Sequence, residues 1–172
     1  PLLFIHGPCG VGKTHLLHGL TNRFRELHPG AVVRMTSGEA FMNEFVLSIK
    51  QTTGGTTSSG TRTPGAAAGS SLGVERFRRQ YRRCDLLCID ELGYMQLDRR
   101  GAELLFQVLT EREEKASVAI ASNESFGGWT KTFTDPRLCA AIVDRLTFAG
   151  NIIETGTESY RLAHARAARA TT

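Results

Sequence analysis

The stretch GPCGVGKT, Gly7–Thr14, constrains this chain more than any other. Gly7, Gly12, Lys13 and Thr14 fit the pattern G-x-x-x-x-G-K-[ST]. The glycines let backbone N–H groups turn inward around a phosphate, where a side chain would collide. Lys13 supplies a point charge for the β- and γ-phosphates, and Thr14 a hydroxyl for Mg²⁺. The expected phosphate loop is therefore Gly7, Pro8, Cys9, Gly10, Val11, Gly12, Lys13, Thr14 and His15. Before it, Leu2–His6 (LLFIH) is a short apolar run ended by Gly-Pro, which predicts a buried strand. After it, Leu16, Leu17, Leu20, Phe24 and Leu27 recur at helical spacing until His28-Pro29-Gly30 stops the pattern. A helix beginning at Lys13 adds the positive end of its dipole to the loop. Strand, glycine loop and helix together are the context in which the motif holds a phosphate.

The same alternation continues along the chain. Ala31–Met35 predicts a second strand, and Glu39–Lys50 a second helix with Phe41, Phe45 and Ile49 on one face. Gln51–Ser71 is almost wholly Thr, Gly, Ser and Ala, so residues 51–73 are expected to form a flexible insertion that cannot bury enough apolar surface to offset ordering. Val74–Arg83 is a short basic helix, Asp85–Asp90 a buried strand, and Asp98–Lys115 a helix with Ala102, Leu105, Phe106 and Leu109 inward. Ser117–Ser122 is a fourth strand, Asp135-Pro136 caps a helix reaching Phe148, and Asn151–Glu154 is a fifth strand. Five rounds of this pattern predict an α/β fold: a five-stranded parallel sheet between two helical layers, spanning residues 1–156. Ligands in such sheets bind beyond the carboxyl ends of the strands, where Gly7 stands. Residues 157–172 form a basic tail with Arg161, Arg166 and Arg169, read as frayed or as a truncated helix.

Length and composition narrow the class. The 172 residues make one domain of globular composition, 41% hydrophobic and 22% charged. No apolar run approaches the roughly 20 residues of a membrane span, and there is no signal-peptide pattern. A net charge of +4 permits an anionic partner such as nucleic acid without demanding one. Cys9, Cys84, Cys88 and Cys139 include no C-x-x-C pair and no histidine at metal-ligand spacing. Cys84 and Cys88 flank an apolar run and read as small core residues, Cys9 as a small loop residue rather than a redox-sensitive thiol. These features together suit a reduced, cytoplasmic setting. The chain opens on Pro1 rather than Met, as a fragment of a longer protein would.

Three further motifs carry chemistry. CIDE, Cys88–Glu91, ends a buried strand with two acids: Asp90 to hold Mg²⁺ through water, and Glu91 to polarise an attacking water as general base. A nucleotide kinase needs a group for a second substrate, whereas an Asp-Glu pair suits water as the attacker. Ser122-Asn123 ends the fourth strand, where the Asn123 amide could orient that water or serve as a turn residue. Asp144-Arg145-Leu146 lies late in a helix; Arg145 could pair locally with an acid or reach a neighbouring subunit's γ-phosphate.

With these residues in this order, the chain resembles the AAA+ ATPase core of the clade that contains the initiator DnaA, the helicase loader DnaC and the transposition helper IstB. PLLFIHGPCGVGKTHLLHGL, VVRMTSGEAFMNEFVLSIK and VERFRRQYRRCDLLCIDE are similar to DnaA; ELGYMQL, RRGAELLFQVLTEREEKASVAIASN and GGWTKTFTDPRLCAAIVDRL are similar to IstB. The resemblance implies ATP and Mg²⁺ as cofactors. It also implies Gly7–Thr14 as Walker A, Asp90 and Glu91 as Walker B, Asn123 as sensor 1, and Arg145 as an arginine finger acting in trans. Self-association, or pairing with a related AAA+ subunit, follows from that finger. The clade grips single-stranded DNA with a helical element after the second strand, here about Glu39–Arg83, made basic by Arg76, Arg78, Arg79, Arg82 and Arg83; a solvated helix face is the alternative. DNA, single-stranded in preference to a specific duplex sequence, and a replicative helicase or a transposase are the implied partners. The lid with its sensor-2 arginine and the helix-turn-helix domain of DnaA have no counterpart here, so the implied P-loop NTPase core has no lid. The expected activity is slow, assembly-dependent ATP hydrolysis; the alternative is an ATP-dependent binding module with negligible hydrolysis.

Overall fold

The computed structural model describes residues 1–53, 68–94, 96–113, 115–148, 150–156 and 159, with the side chains of 51–53 and 68–72 outside that description. The middle of the expected insertion, 54–67, and the arginines of the tail also lie outside it. Five strands, β1 (Leu2–His6), β2 (Val33–Ser37), β3 (Leu86–Asp90), β4 (Ser117–Ser122) and β5 (Gly150–Glu154), form one sheet in the order β2-β3-β4-β1-β5. Every pairing is parallel. The helices are α1 (Lys13–Leu27), α2 (Gly38–Thr53), α3 (Ala68–Arg83), α4 (Arg99–Arg112) and α5 (Pro136–Phe148), with a 3₁₀ turn at Phe126–Lys131.

Strand alternation sorts the core into two layers. Ile5, Leu86, Cys88, Ala119 and Ala121 point to one face and meet Leu17 of α1. Phe4, Leu87, Ile89, Val118 and Ile120 point to the other face and meet α2, α3, α4, α5 and Trp129. The face under α1 carries a cysteine and two alanines, which lets that single helix lie close. The expected three-layer α/β architecture is thus present, with the α-helices among the described residues divided one against four.

Several boundaries differ from the sequence reading, each for a local reason. β2 begins at Val33 because the Ala31 N–H is spent closing a turn on His28 O. It runs on to Ser37, which pairs with Asp90 and whose hydroxyl accepts from Ala40 N–H to cap α2. Helices α2 and α3 extend into both edges of residues 51–73, to Thr53 and from Ala68, as the two helices pack along each other. Of the apolar residues on α1 only Leu17 is fully buried, while Leu16 and Leu27 are about half exposed. On α4, Leu104 and Val108 join the core and Phe106 is only partly buried, because α3 packs against a second side of that helix. Asp98 and Asp135 cap α4 and α5, accepting from Gly101 N–H at 2.8 Å and from Arg137 N–H at 2.9 Å.

One buried cation joins three elements. Arg112, 1% exposed, donates to Tyr81 O and Cys84 O at the end of α3 and to Ser117 O at the start of β4. Its guanidinium serves as a C-cap for α3, satisfying carbonyls that a helix end leaves without partners. Burial holds the Arg112 pKa below the usual arginine range.

Candidate functional site

Strand order decides which loops meet. With β1 between β4 and β5, the loop leaving His6 emerges beside Ser122 and Glu154, its register partners. Gly7 N–H donates to Ser122 O at 3.3 Å. A Cβ on Gly7 would collide with Thr155 Oγ1, and the residue sits at φ 148°. Gly12, at φ 92°, has open space where its Cβ would be, so backbone conformation alone asks for glycine there. Gly10 shares the left-handed backbone, at φ 84°.

Thr14 is the point where two distant motifs join. Its Oγ1 donates to Asp90 Oδ2 at 2.7 Å, and Asp90 Oδ1 accepts from Glu91 N–H at 2.9 Å. A hydroxyl beside a carboxylate is a hard-oxygen donor set of the kind that suits Mg²⁺. No side chain caps the start of α1, where Gly12 is the N-cap, so the dipole end is presented to the loop. The donor set and the glycine-built cradle fit a magnesium-bound phosphate chain. Lys13 is 7% exposed and its Nζ donates to Gly7 O at 2.6 Å and Pro8 O at 2.7 Å, which draws the ammonium across the inside of the loop.

Cys9, Gly10, Val11, Gly12, Lys13, Thr14, His15, Asp90, Glu91 and Asn123 line one cleft of about 370 Å³. Residues from 9 to 123 in the sequence thereby face a single space, because the ends of β1, β3 and β4 are neighbours. Glu91 is exposed and has a left-handed backbone, φ 54°. For a residue with a side chain that conformation costs about 1–2 kcal/mol and calls for restraint by its surroundings. Sequence reasoning did not reach Ser122, Trp129, Thr132 and Thr155, which hold this cleft's walls. The only local signal was the Ser-Asn pair ending β4.

Arg145 lies elsewhere. Its guanidinium pairs with Glu113 and sits over the Phe106 ring, 5.1 Å from the centroid. It borders a small cavity with Pro1, Leu2, Ala116 and Val118, at the amino ends of β1 and β4. The phosphate loop is at the carboxyl end of β1, a five-residue strand of roughly 16 Å. Arg145 therefore lies at the other end of the sheet from the cleft of its own chain, and the ion pair with Glu113 is the local pairing that the sequence left open.

A larger cleft, about 780 Å³, lies away from the glycine loop, between edge strand β2 and α3, where Arg34, Arg76, Arg79 and Arg83 line it together with Glu75. Arg78 and Arg82 instead turn toward α4: Arg78 donates to Gln107, and Arg82 makes a two-pronged pair with Glu111 at 2.8 and 2.9 Å. Arg34 stacks on Tyr81 and pairs with Glu44, and this contact ties β2, α2 and α3 together. Of the buried thiols, Cys84 lines the cleft beside β2, while Cys88 and Cys139 line neither. Burial pushes the Cys88 pKa up to about 11, and among the described residues no cluster of metal-binding side chains occurs.

Known proteins share this fold. Residues 1–60 match the model for the bacterial DnaA ATPase domain. Residues 67–168 match the model described as IstB-like ATP binding protein, so the segment 74–91, whose wording resembles DnaA, falls inside the IstB-like match. A protein of insertion sequence IS232 from Bacillus thuringiensis subsp. berliner, named for ATP binding, is 37% identical over 158 residues, covering 91% of this chain and 54% of that protein. The chain spans about half the length of the first curated relatives it matches. Among solved structures, the replication initiator DnaA bound to AMPPCP and single-stranded DNA aligns with a TM-score of 0.67 at 21% identity, covering 91% of this chain and 40% of that one. The DnaC helicase loader aligns at 0.62 and 16%, covering 90% and 78%. Those two likenesses establish the shared fold. The IstB-like match takes in more than half of the residues, including Asp90, Glu91, Asn123 and Arg145; the chain belongs to the IstB-like ATP binding protein family.

Proposed function

We propose that this chain is an ATPase core that binds Mg-ATP, assembles with a second copy or a related subunit, and hydrolyses the nucleotide slowly while engaging DNA in transposition. The observation that carries the reading is the Thr14–Asp90 hydrogen bond, which draws both acids to the uncapped start of α1. In this reading the N–H groups of Gly10–Thr14 hold the β- and γ-phosphates, and Lys13 leaves Gly7 O and Pro8 O to reach them. Thr14 and Asp90 would hold Mg²⁺, which when bound would offset the negative charge of the phosphates. Glu91 takes the proton of the attacking water, and Asn123 orients that water from the end of β4. Arg145 serves a neighbour's nucleotide, a role its distance from its own cleft supports. The fold shared with DnaA bound to single-stranded DNA supports the groove of Arg76, Arg79 and Arg83 as the DNA contact. Membership in a family with insertion-sequence relatives supports a transposase as the partner.

The test is phosphate release measured against protein concentration. Turnover per chain is expected to rise with concentration. Glu91→Gln should keep ATP binding and lose about 10²–10⁴ in rate, and Arg145→Ala should lose at least about 10³ at concentrations where the parent is saturated. Turnover that is independent of concentration and indifferent to Arg145 would overturn the trans finger. ATP binding with no phosphate release, with or without DNA, would instead support a nucleotide-gated binding module.

A further inference from the structure

Glu91 must be held in its left-handed backbone; besides its own N–H bond to Asp90 Oδ1 and the close approach of Gly38, the residues after it are held by β4 and the segment that follows. Leu92 N–H donates to Ala121 O at 3.0 Å, and its side chain is 1% exposed. Gly93, at φ 102°, lies so close to β4 that an added Cβ would stand 3.1 Å from Ser122 Oγ and 3.5 Å from both Thr132 Oγ1 and Trp129 Nε1. Thr132 Oγ1 donates to Gly93 O at 3.2 Å, and Leu97 N–H donates to Thr132 O at 2.7 Å. Leu92, Gly93 and Leu97 are thus tied to β4 and the segment that follows it.

That same segment carries Asn123. Ser122 Oγ, fully buried, accepts from Trp129 Nε1 at 3.2 Å and from Glu124 N–H at 3.1 Å, so one oxygen brackets residue 123 on both sides. Trp129 is itself fixed edge-on to Phe4 and Phe126, each at 5.2 Å between ring centroids. Polar atoms are costly in so apolar a setting, and apolar side chains of the same shape would pack there as well. Hydrogen bonds, unlike packing, have direction, and here they fix the angle between two loops.

We propose that Ser122, Trp129 and Thr132 form a clamp that positions Glu91 against Asn123 across the cleft. None of the three lines the cleft; each is a positioning residue acting through those two side chains. The proposal rests on the reading that Glu91 and Asn123 act on the attacking water. A general base must hold its geometry closely, because small misplacements are costly in rate.

The experiment measures kcat, KM and the ATP dissociation constant of the full chain at saturating protein concentration, beside thermal melting. Ser122→Ala and Thr132→Val are each expected to lower kcat about tenfold, while the ATP dissociation constant stays within about twofold. Their combination should cost less than the product of the two, since both loosen the same turn. Trp129 is the chain's single tryptophan, so its emission should shift in Ser122→Ala, which removes its acceptor. If Ser122→Ala does not fold, the Thr132 pair carries the test: Thr132→Ser keeps the hydroxyl and should keep kcat, and Thr132→Val should not. Folded variants with unchanged kcat, or a kcat loss matched by an equal loss of ATP binding, overturn the clamp. A parent chain that binds ATP but releases no phosphate overturns the hydrolytic reading instead.

Discussion

Two glycines of one loop are required for different physical reasons. At Gly7 both space and backbone forbid a side chain, because Thr155 occupies the position a Cβ would take. At Gly12 only the φ of 92° does so. Gly7→Ala is therefore expected to lose about 1–3 kcal/mol of stability, more than Gly12→Ala, and to abolish ATP binding. Thr155→Ala should restore part of the Gly7→Ala stability and none of the Gly12→Ala loss, as urea denaturation of the four variants would show. The need for glycine at both positions is legible in the motif. The cause at Gly7 is not, since Thr155 lies near the far end of the chain and meets it only because β5 lies beside β1. Lys13 shows the same division: its identity follows from the motif, its present contacts with Gly7 O and Pro8 O from the loop's closed shape.

At the scale of elements, α3 ends on a buried arginine from α4 rather than on a glycine. Arg112 reaches Tyr81 O, Cys84 O and Ser117 O, and a neutral side chain would remove all three bonds, leaving Tyr81 O with the weak Cys84 Sγ donor. Arg112→Met is expected to destabilise the fold by about 2–4 kcal/mol. Arg112→Lys should recover only a fraction, because an ammonium lacks the planar fork that spans the acceptors. Midpoints of chemical denaturation check both. Nothing in the sequence marks this residue, which looks like one more charge near a helix end. The inward pattern of α4 was partly legible for a related reason. Ala102, Leu105 and Leu109 follow from periodicity, whereas Leu104 and Val108 are buried by the approach of α3, the preceding helix across strand β3.

Across the whole molecule, charge is sorted by packing. The five arginines of α3 look equivalent in sequence, yet Arg78 and Arg82 are turned onto Gln107 and Glu111 while Arg76, Arg79 and Arg83 line the groove beside β2. Replacing Arg76, Arg79 and Arg83 with alanine is expected to weaken single-stranded DNA binding. The slope of log affinity against log salt should fall by about 0.7 for each phosphate no longer neutralised. Replacing Arg78 and Arg82 should leave that slope unchanged. Filter binding or fluorescence anisotropy at several salt concentrations separates the two outcomes, and equal effects from both sets would remove the groove as the DNA-binding surface.

By itself the sequence determined the glycine loop after the first strand, the placing of Asp90 and Glu91 at a strand end, the order of strands and helices, and the parallel α/β class. Each of these rests on nearby residues: glycine spacing, apolar periodicity, a cap before a proline. Tertiary structure alone decided that Thr14 bonds Asp90, that the turn after Glu91 is tied to β4 and the segment carrying Asn123, that Arg145 lies at the other end of the sheet from its own cleft, and which arginines look into the groove. The physical reason is the strand order β2-β3-β4-β1-β5. It makes neighbours of segments far apart in the chain, and which side chains then meet depends on packing that no local pattern records.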